Sequence, residues 1–170
     1  VNMIKKEPQL NLDYKKSIFS KYSIIIVIII GISCLIRFYY FPTEIPLTAD
    51  SLYYFWYSSE VYQIGTLPDN WIPANIGWPI FVSAFFTIFD SKDIFELMQI
   101  QKILSVLISI LITIPVYFLC KKFVAKKFAI IGATLIAFEP RLMINSFLGL
   151  TDPIFLLLIT ISLVLFLNSN

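Results

Sequence analysis

The chain has 170 residues, of which 58% are hydrophobic and only 14% charged, and its mean hydropathy is +0.82. Soluble domains carry about 25% charged residues, so the apolar surplus predicts helices that face lipid. A net charge of +2, no histidine and two cysteines argue against a nucleic-acid surface and leave too few soft ligands for a zinc site.

Residues 1–21 are polar and basic, with Lys5, Lys6, Lys15, Lys16 and Lys21 against Glu7 and Asp13. From Tyr22 to Phe41 only Arg37 interrupts an apolar run. A spanning helix needs about 20 such residues, so residues 22–41 form the first predicted span. Phe38, Tyr39, Tyr40 and Phe41 make an interfacial aromatic belt, and Pro42 stops the helix. No small-residue cleavage site follows, which argues against a signal peptide. The chain stops directly after an apolar run, as expected of the N-terminal portion of a longer protein.

Residues 43–77 contain Glu44, Asp50, Glu60 and Asp69 but no lysine or arginine. Within them, Asp50 to Ile64 reads as an amphipathic helix on the membrane, with Leu52, Phe55, Trp56, Ser59 and Tyr62 roughly at helical spacing. Trp78 to Phe89 is apolar but only 12 residues long, too short to span. Asp90 to Lys102 is again amphipathic. Residues 103–120 carry no charge and form the second predicted span, followed by Lys121, Lys122, Lys126 and Lys127. The third span is predicted over 128–144, around Glu139-Pro140-Arg141, and the fourth over 153–167.

Lysine and arginine stay on the cytoplasmic side of a membrane. The N-terminal lysines and the Lys121–Lys127 cluster are therefore both expected inside, with two spans between them. Residues 42–102 become one long outer loop with short helices in it, and residues 145–152 a second. The predicted fold is all-α: a polytopic transmembrane bundle with amphipathic juxtamembrane helices, a multi-pass protein of the cell membrane with a cytoplasmic N-terminus. Residues 1–21 are its basic tail and 22–170 its transmembrane module. Both acidic loops meet on the outer face.

The order of these features resembles the N-terminal half of the GT-C superfamily of membrane glycosyltransferases, among them protein mannosyltransferases and aminoarabinose transferases (family 39-like). Leu47-Thr48-Ala49-Asp50-Ser51-Leu52-Tyr53-Tyr54 resembles the family's acid before an aromatic helix. Asn75-Ile76-Gly77-Trp78-Pro79-Ile80-Phe81 resembles its Pro-containing juxtamembrane helix. Phe138-Glu139-Pro140-Arg141, then Asn145-Ser146, Gly149 and Thr151-Asp152-Pro153, resemble its second outer loop. There are departures: Asp50 lacks an adjacent second acid, and Asn145-Ser146 stands where oligosaccharyltransferases carry Arg-Ser. The lipid-linked monosaccharide transferases are the nearer likeness.

The resemblance implies transfer of a sugar from a polyprenyl-phosphate donor to a protein or lipid acceptor at the outer face. It implies Asp50 as catalytic acid and Asp152 as second acid or metal ligand, with magnesium or manganese as the divalent cation, because hard oxygen ligands suit those ions. Arg37 and Arg141 are candidates for the donor phosphate, which a guanidinium matches well; Lys92 and Lys102 are weaker ones. Trp71 and Trp78 are candidates for stacking on sugar or lipid. Each has a plainer role beside it. Asp50 and Asp152 can cap helices, Asp152 with Pro153 at the first helical position. Glu139 can pair with Arg141, Arg37 can snorkel to the interface, and the tryptophans can anchor there. The rival function is a non-catalytic polytopic subunit or a transporter fragment. A transporter places ionisable groups mid-helix, whereas these apolar stretches are clean at their centres.

Overall fold

The structure is a computed structural model that describes residues 9–69 and 76–169, with side chains from residue 21 onward. The described residues form α-helices and no strand: α1 (Gln9–Tyr39), α2 (Ala49–Ile64), α3 (Gly77–Phe89), α4 (Ile94–Leu111), α5 (Thr113–Phe123), α6 (Lys126–Ala137), α7 (Pro140–Phe147) and α8 (Asp152–Ser169). Three stretches are long and apolar enough to cross a membrane: Lys21–Tyr39, Ile94–Phe123 and Asp152–Ser169. The pair α6 and α7, bent by 42°, makes a fourth if it counts as one span. The chain is thus an all-helical membrane protein.

α1 begins well before the apolar run, at Gln9, because no proline or glycine between residues 9 and 21 interrupts it. α2 stops at Gly65, whose φ of 75° gives the left-handed cap that glycine adopts without a Cβ clash. Its buried side keeps Phe55 and Ser59 of the predicted stripe, with Leu52 and Tyr62 partly buried, and adds Ser51, Tyr57 and Ser58. Trp56 is exposed. Two of the buried hydroxyls are spent within the helix, Ser51 Oγ on Thr48 O and Ser58 Oγ on Tyr54 O. Small polar residues can therefore face α3 without an unmet donor.

α3 has 13 residues, about 20 Å at 1.5 Å per residue, and does not span. Trp78, Pro79, Val82, Ser83 and Phe86 make its buried face. The predicted boundary at residue 103 is corrected. The stretch read as a separate surface helix is the first part of a continuous 30-residue run, Ile94–Phe123. Asp93 starts it by accepting from Phe95 N at 2.9 Å, and no proline or glycine lies between residues 94 and 114. The interruption at Ile112 fits Pro115, which has no N–H to offer the carbonyl of Leu111.

The third predicted span breaks at the Glu139-Pro140 step, where α6 and α7 meet at 42°. Pro140 cannot donate to the carbonyl four residues back, and Glu139 caps the new helix by accepting from Leu142 N. Two cores follow from this order. Leu47, Phe55, Trp78, Val82, Phe86, Leu97, Met98, Leu104 and Ile108 join α2, α3 and α4. Ile26, Ile29, Tyr117, Ala129, Ala133 and Ala137 join α1, α5 and α6. The alanines recur every fourth residue, so their Cβ atoms line one face and let helix backbones approach closely.

Candidate functional site

Four segments meet at the end of the bundle where α2 and α3 lie. Gln101 of α4 is fully buried there. Its Nε2 donates to Ser51 O in α2 and to Gly149 O in the α7–α8 turn, each at 3.0 Å. Trp78 Nε1 of α3 donates to the same Gly149 oxygen at 3.2 Å. Ser105 Oγ, one turn along α4, donates to Leu150 O at 3.1 Å. Gln101 thus joins the start of α2 to the α7–α8 turn. Ser51 follows Asp50 directly, and Gly149 lies three residues before Asp152.

Beside this junction a cavity of about 260 Å³ is lined by Glu139, Arg141, Leu142, Asn145, Asp152, Phe155 and Leu156. Two carboxylates, a guanidinium and an amide form its polar side. Asn145 Nδ2 donates to Asp152 Oδ2 and joins α7 to the start of α8. Glu139 spends one oxygen on Leu142 N rather than on Arg141, so the plainer ion-pair role expected of it is replaced by capping. Arg141 is exposed. Leu142, Phe155 and Leu156 supply the apolar side.

The site residues expected from sequence divide accordingly. Asp152 and Arg141 line the cavity. Asp152 is the first residue of α8, inside the helix rather than its cap. Asp50 does not line the cavity. It is exposed in the first turn of α2, where Thr48 holds the cap position. Trp78 is 3% exposed and packed in the core, so it is a structural donor and no stacking platform. Trp71 lies outside the described residues. Lys102, read as an outer-side phosphate candidate, is 1% exposed and donates to Pro42 O and Ile45 O, tying down the turn after α1.

Arg37 is fully buried and does not snorkel. Its Nη1 donates to Ser33 Oγ and to Ala137 O, the latter at 2.7 Å, while Ser33 Oγ donates to the same carbonyl at 3.1 Å. The helix break at Pro140 explains the arrangement. It leaves the last carbonyls of α6 without intrahelical donors, and α1 supplies them. Nε and Nη2 of Arg37 have no hydrogen-bond partner.

A divalent cation takes oxygen ligands and fills its shell with water and substrate oxygens. Among the described residues no three Asp, Glu, His or Cys side chains gather. Glu139 and Asp152 share the cavity, with one oxygen of each engaged, Glu139 Oε2 by Leu142 N and Asp152 Oδ2 by Asn145 Nδ2. Gln101, Ser105 and Asn145 were missed as site residues by sequence reading. Gln101 and Ser105 stand in segments read as surface helix and clean span, and nothing local marks either as a tie between loops. The chain matches no family model, no curated protein and no solved structure.

Proposed function

We propose that the chain is the N-terminal part of a GT-C-like glycosyltransferase that uses a polyprenyl-phosphate sugar donor, with the α2–α3 end at the outer membrane face and the lysine-rich end in the cytoplasm. The observation that carries this reading is the amphipathic cavity beside the joined loops. Glu139, Arg141 and Asp152 line it together with Leu142, Phe155 and Leu156, and Phe155 is exposed on a helix long and apolar enough to cross a membrane. A ligand with a charged head and an apolar tail fits such a boundary better than a soluble sugar does.

In this reading Arg141 takes the donor phosphate, and Glu139 and Asp152 would hold the divalent cation, magnesium or manganese. The cation would supply charge stabilisation to the leaving phosphate. Asp50 takes the proton of the acceptor hydroxyl. The hydroxyl oxygen bonds to the anomeric carbon, the carbon–oxygen bond to phosphate breaks, and the electron pair leaves with the phosphate. Arg37 is a helix brace and no longer a phosphate ligand. The acceptor is a protein or a lipid. The test is transfer of labelled sugar from a prenyl-phosphate donor by membranes carrying the full-length protein. Arg141→Met should raise the donor KM by about tenfold or more, the scale of a lost charge-assisted contact. An unchanged donor KM contradicts the assignment.

A further inference from the structure

Gln101 is a fully buried polar side chain in a spanning stretch. Such groups are costly in an apolar interior unless hydrogen-bonded. Both of its partners are backbone carbonyls, Ser51 O and Gly149 O. A carbonyl oxygen turned toward them would repel both, so the amide orientation is fixed by chemistry, with NH2 toward the carbonyls. Its Oε1 has no donor, so the whole hydrogen-bonding capacity it uses is invested in those two carbonyls.

The surroundings fit a built junction. Gly149 has φ +71°, and a Cβ on it would lie 3.2 Å from Gln101 Cγ and 3.3 Å from Leu47 Cδ2. The glycine is what lets the turn reach the amide. The indole of Trp78 supplies a second donor to the Gly149 oxygen. Ser51 O keeps its place in the first turn of α2 and offers its second lone pair to Gln101. A displacement of either carbonyl carries the neighbouring acid with it, Asp50 on one side and Asp152 on the other.

We infer that Gln101 is a positioning residue that couples the Asp50 helix to the Asp152 loop and fixes the spacing of the two acids. Its effect on catalysis rests on the glycosyltransferase reading; the coupling itself does not. Without Gln101, α2 loses the Ser51 bond to α4, while Gln99 and Lys102 still hold residues 42–45 and Trp78 and Ser105 still hold the second loop.

The experiment measures spin-label distances in the full-length protein after Cys34→Ser and Cys120→Ala. One label pair replaces Thr48 and Thr151, beside the two acids. A control pair replaces Phe123 and Phe166, exposed at the opposite end. Gln101→Leu removes both bonds, and Gln101→Glu keeps the shape but turns a carboxylate oxygen toward the carbonyls. Both variants should broaden the Thr48–Thr151 distribution and leave the control pair unchanged. In the transfer assay both should lower kcat by about 10-fold or more, the scale of misplaced reacting groups, with a smaller change in donor KM. An unchanged Thr48–Thr151 distribution overturns the proposal. So does equal broadening of both pairs in both variants, since Gln101 would then support the fold at large. If the distances respond as expected while the unaltered protein transfers no sugar, the coupling stands and the glycosyltransferase reading fails.

Discussion

Gln101 lies against Gly149, with its Nε2 3.0 Å from the glycine carbonyl oxygen, and that bond ties a spanning helix to the turn that starts α8. A Cβ at position 149 would lie 3.2 Å from Gln101 Cγ and 3.3 Å from Leu47 Cδ2, tighter than ordinary contact. Gly149→Ala meets both a positive φ and close atoms of Gln101 and Leu47. It should lower stability by about 1–3 kcal/mol, the scale of strain and overpacking. Thermal unfolding of the detergent-purified protein checks this; a variant that melts with the parent contradicts the close approach.

Arg37 and Ser33 both serve the Ala137 carbonyl, so they should substitute for each other. Arg37→Met removes a buried charge and leaves the Ser33 donor in place. It should change stability little, as replacement of buried charges by apolar groups often does. Adding Ser33→Ala strands the carbonyl and should cost about 1–3 kcal/mol more. Donor KM should stay within about twofold in Arg37→Met, because a lost phosphate contact would change it by about tenfold. A large KM rise with intact stability would restore Arg37 as a phosphate ligand.

Gly132 sits where a Cβ would come within 2.7 Å of Cys120 Sγ. Gly132→Ala should therefore destabilise by about 1–3 kcal/mol, and the double variant with Cys120→Ala should recover most of the loss. A fully stable single variant contradicts the packing of α5 on α6. Both cysteines, Cys34 and Cys120, are free.

Tyr62 Oη donates to Asp90 Oδ1 at 2.6 Å, joining the end of α2 to the cap of α3. That hydrogen bond holds the phenol above its ordinary pKa, with smaller contributions from desolvation and the Asp90 charge. The raised value favours the neutral phenol in the folded state. Its contribution is full below the ordinary tyrosine range and is lost as pH rises through the folded value. An ultraviolet phenolate titration should show one late-titrating group that disappears in Tyr62→Phe. No difference between the two curves contradicts the bond.

Much of the helix order was legible because the stops are chemical. Pro42, the Lys121–Lys127 cluster, Glu139-Pro140 and Asp152-Pro153 each mark a real boundary within a few residues. What misled was polarity inside the bundle. Gln101 and Lys102 look like surface residues in a string of letters, so residues 94–102 read as an interfacial helix. Both are buried because loop carbonyls, contributed by residues far along the chain, satisfy them. The serine face of α2 is hidden for a more local reason, because Ser51 and Ser58 spend their hydroxyls on carbonyls one turn back. At the site, Asp152 and Arg141 were legible from their place beside prolines and at a helix edge. Asp50 was read as a possible cap, but the cap position belongs to Thr48, and no local pattern records the Asn145 bond that orients Asp152.

Transfer of labelled sugar from a prenyl-phosphate donor by membranes carrying Asp50→Asn or Asp152→Asn tests the proposed reaction directly. Asp50 makes no capping bond through its side chain, so Asn costs only the favourable charge near a helix start, about 0.3–1 kcal/mol, and membrane levels should stay near normal. Asp50→Asn should lower transfer by about 100-fold or more, the scale of a lost acid–base group. Asp152→Asn should act mainly through metal or donor affinity and be partly offset by excess divalent cation. Full activity in Asp50→Asn with none in Asp152→Asn would reverse the roles, and unimpaired transfer in both variants would contradict the account.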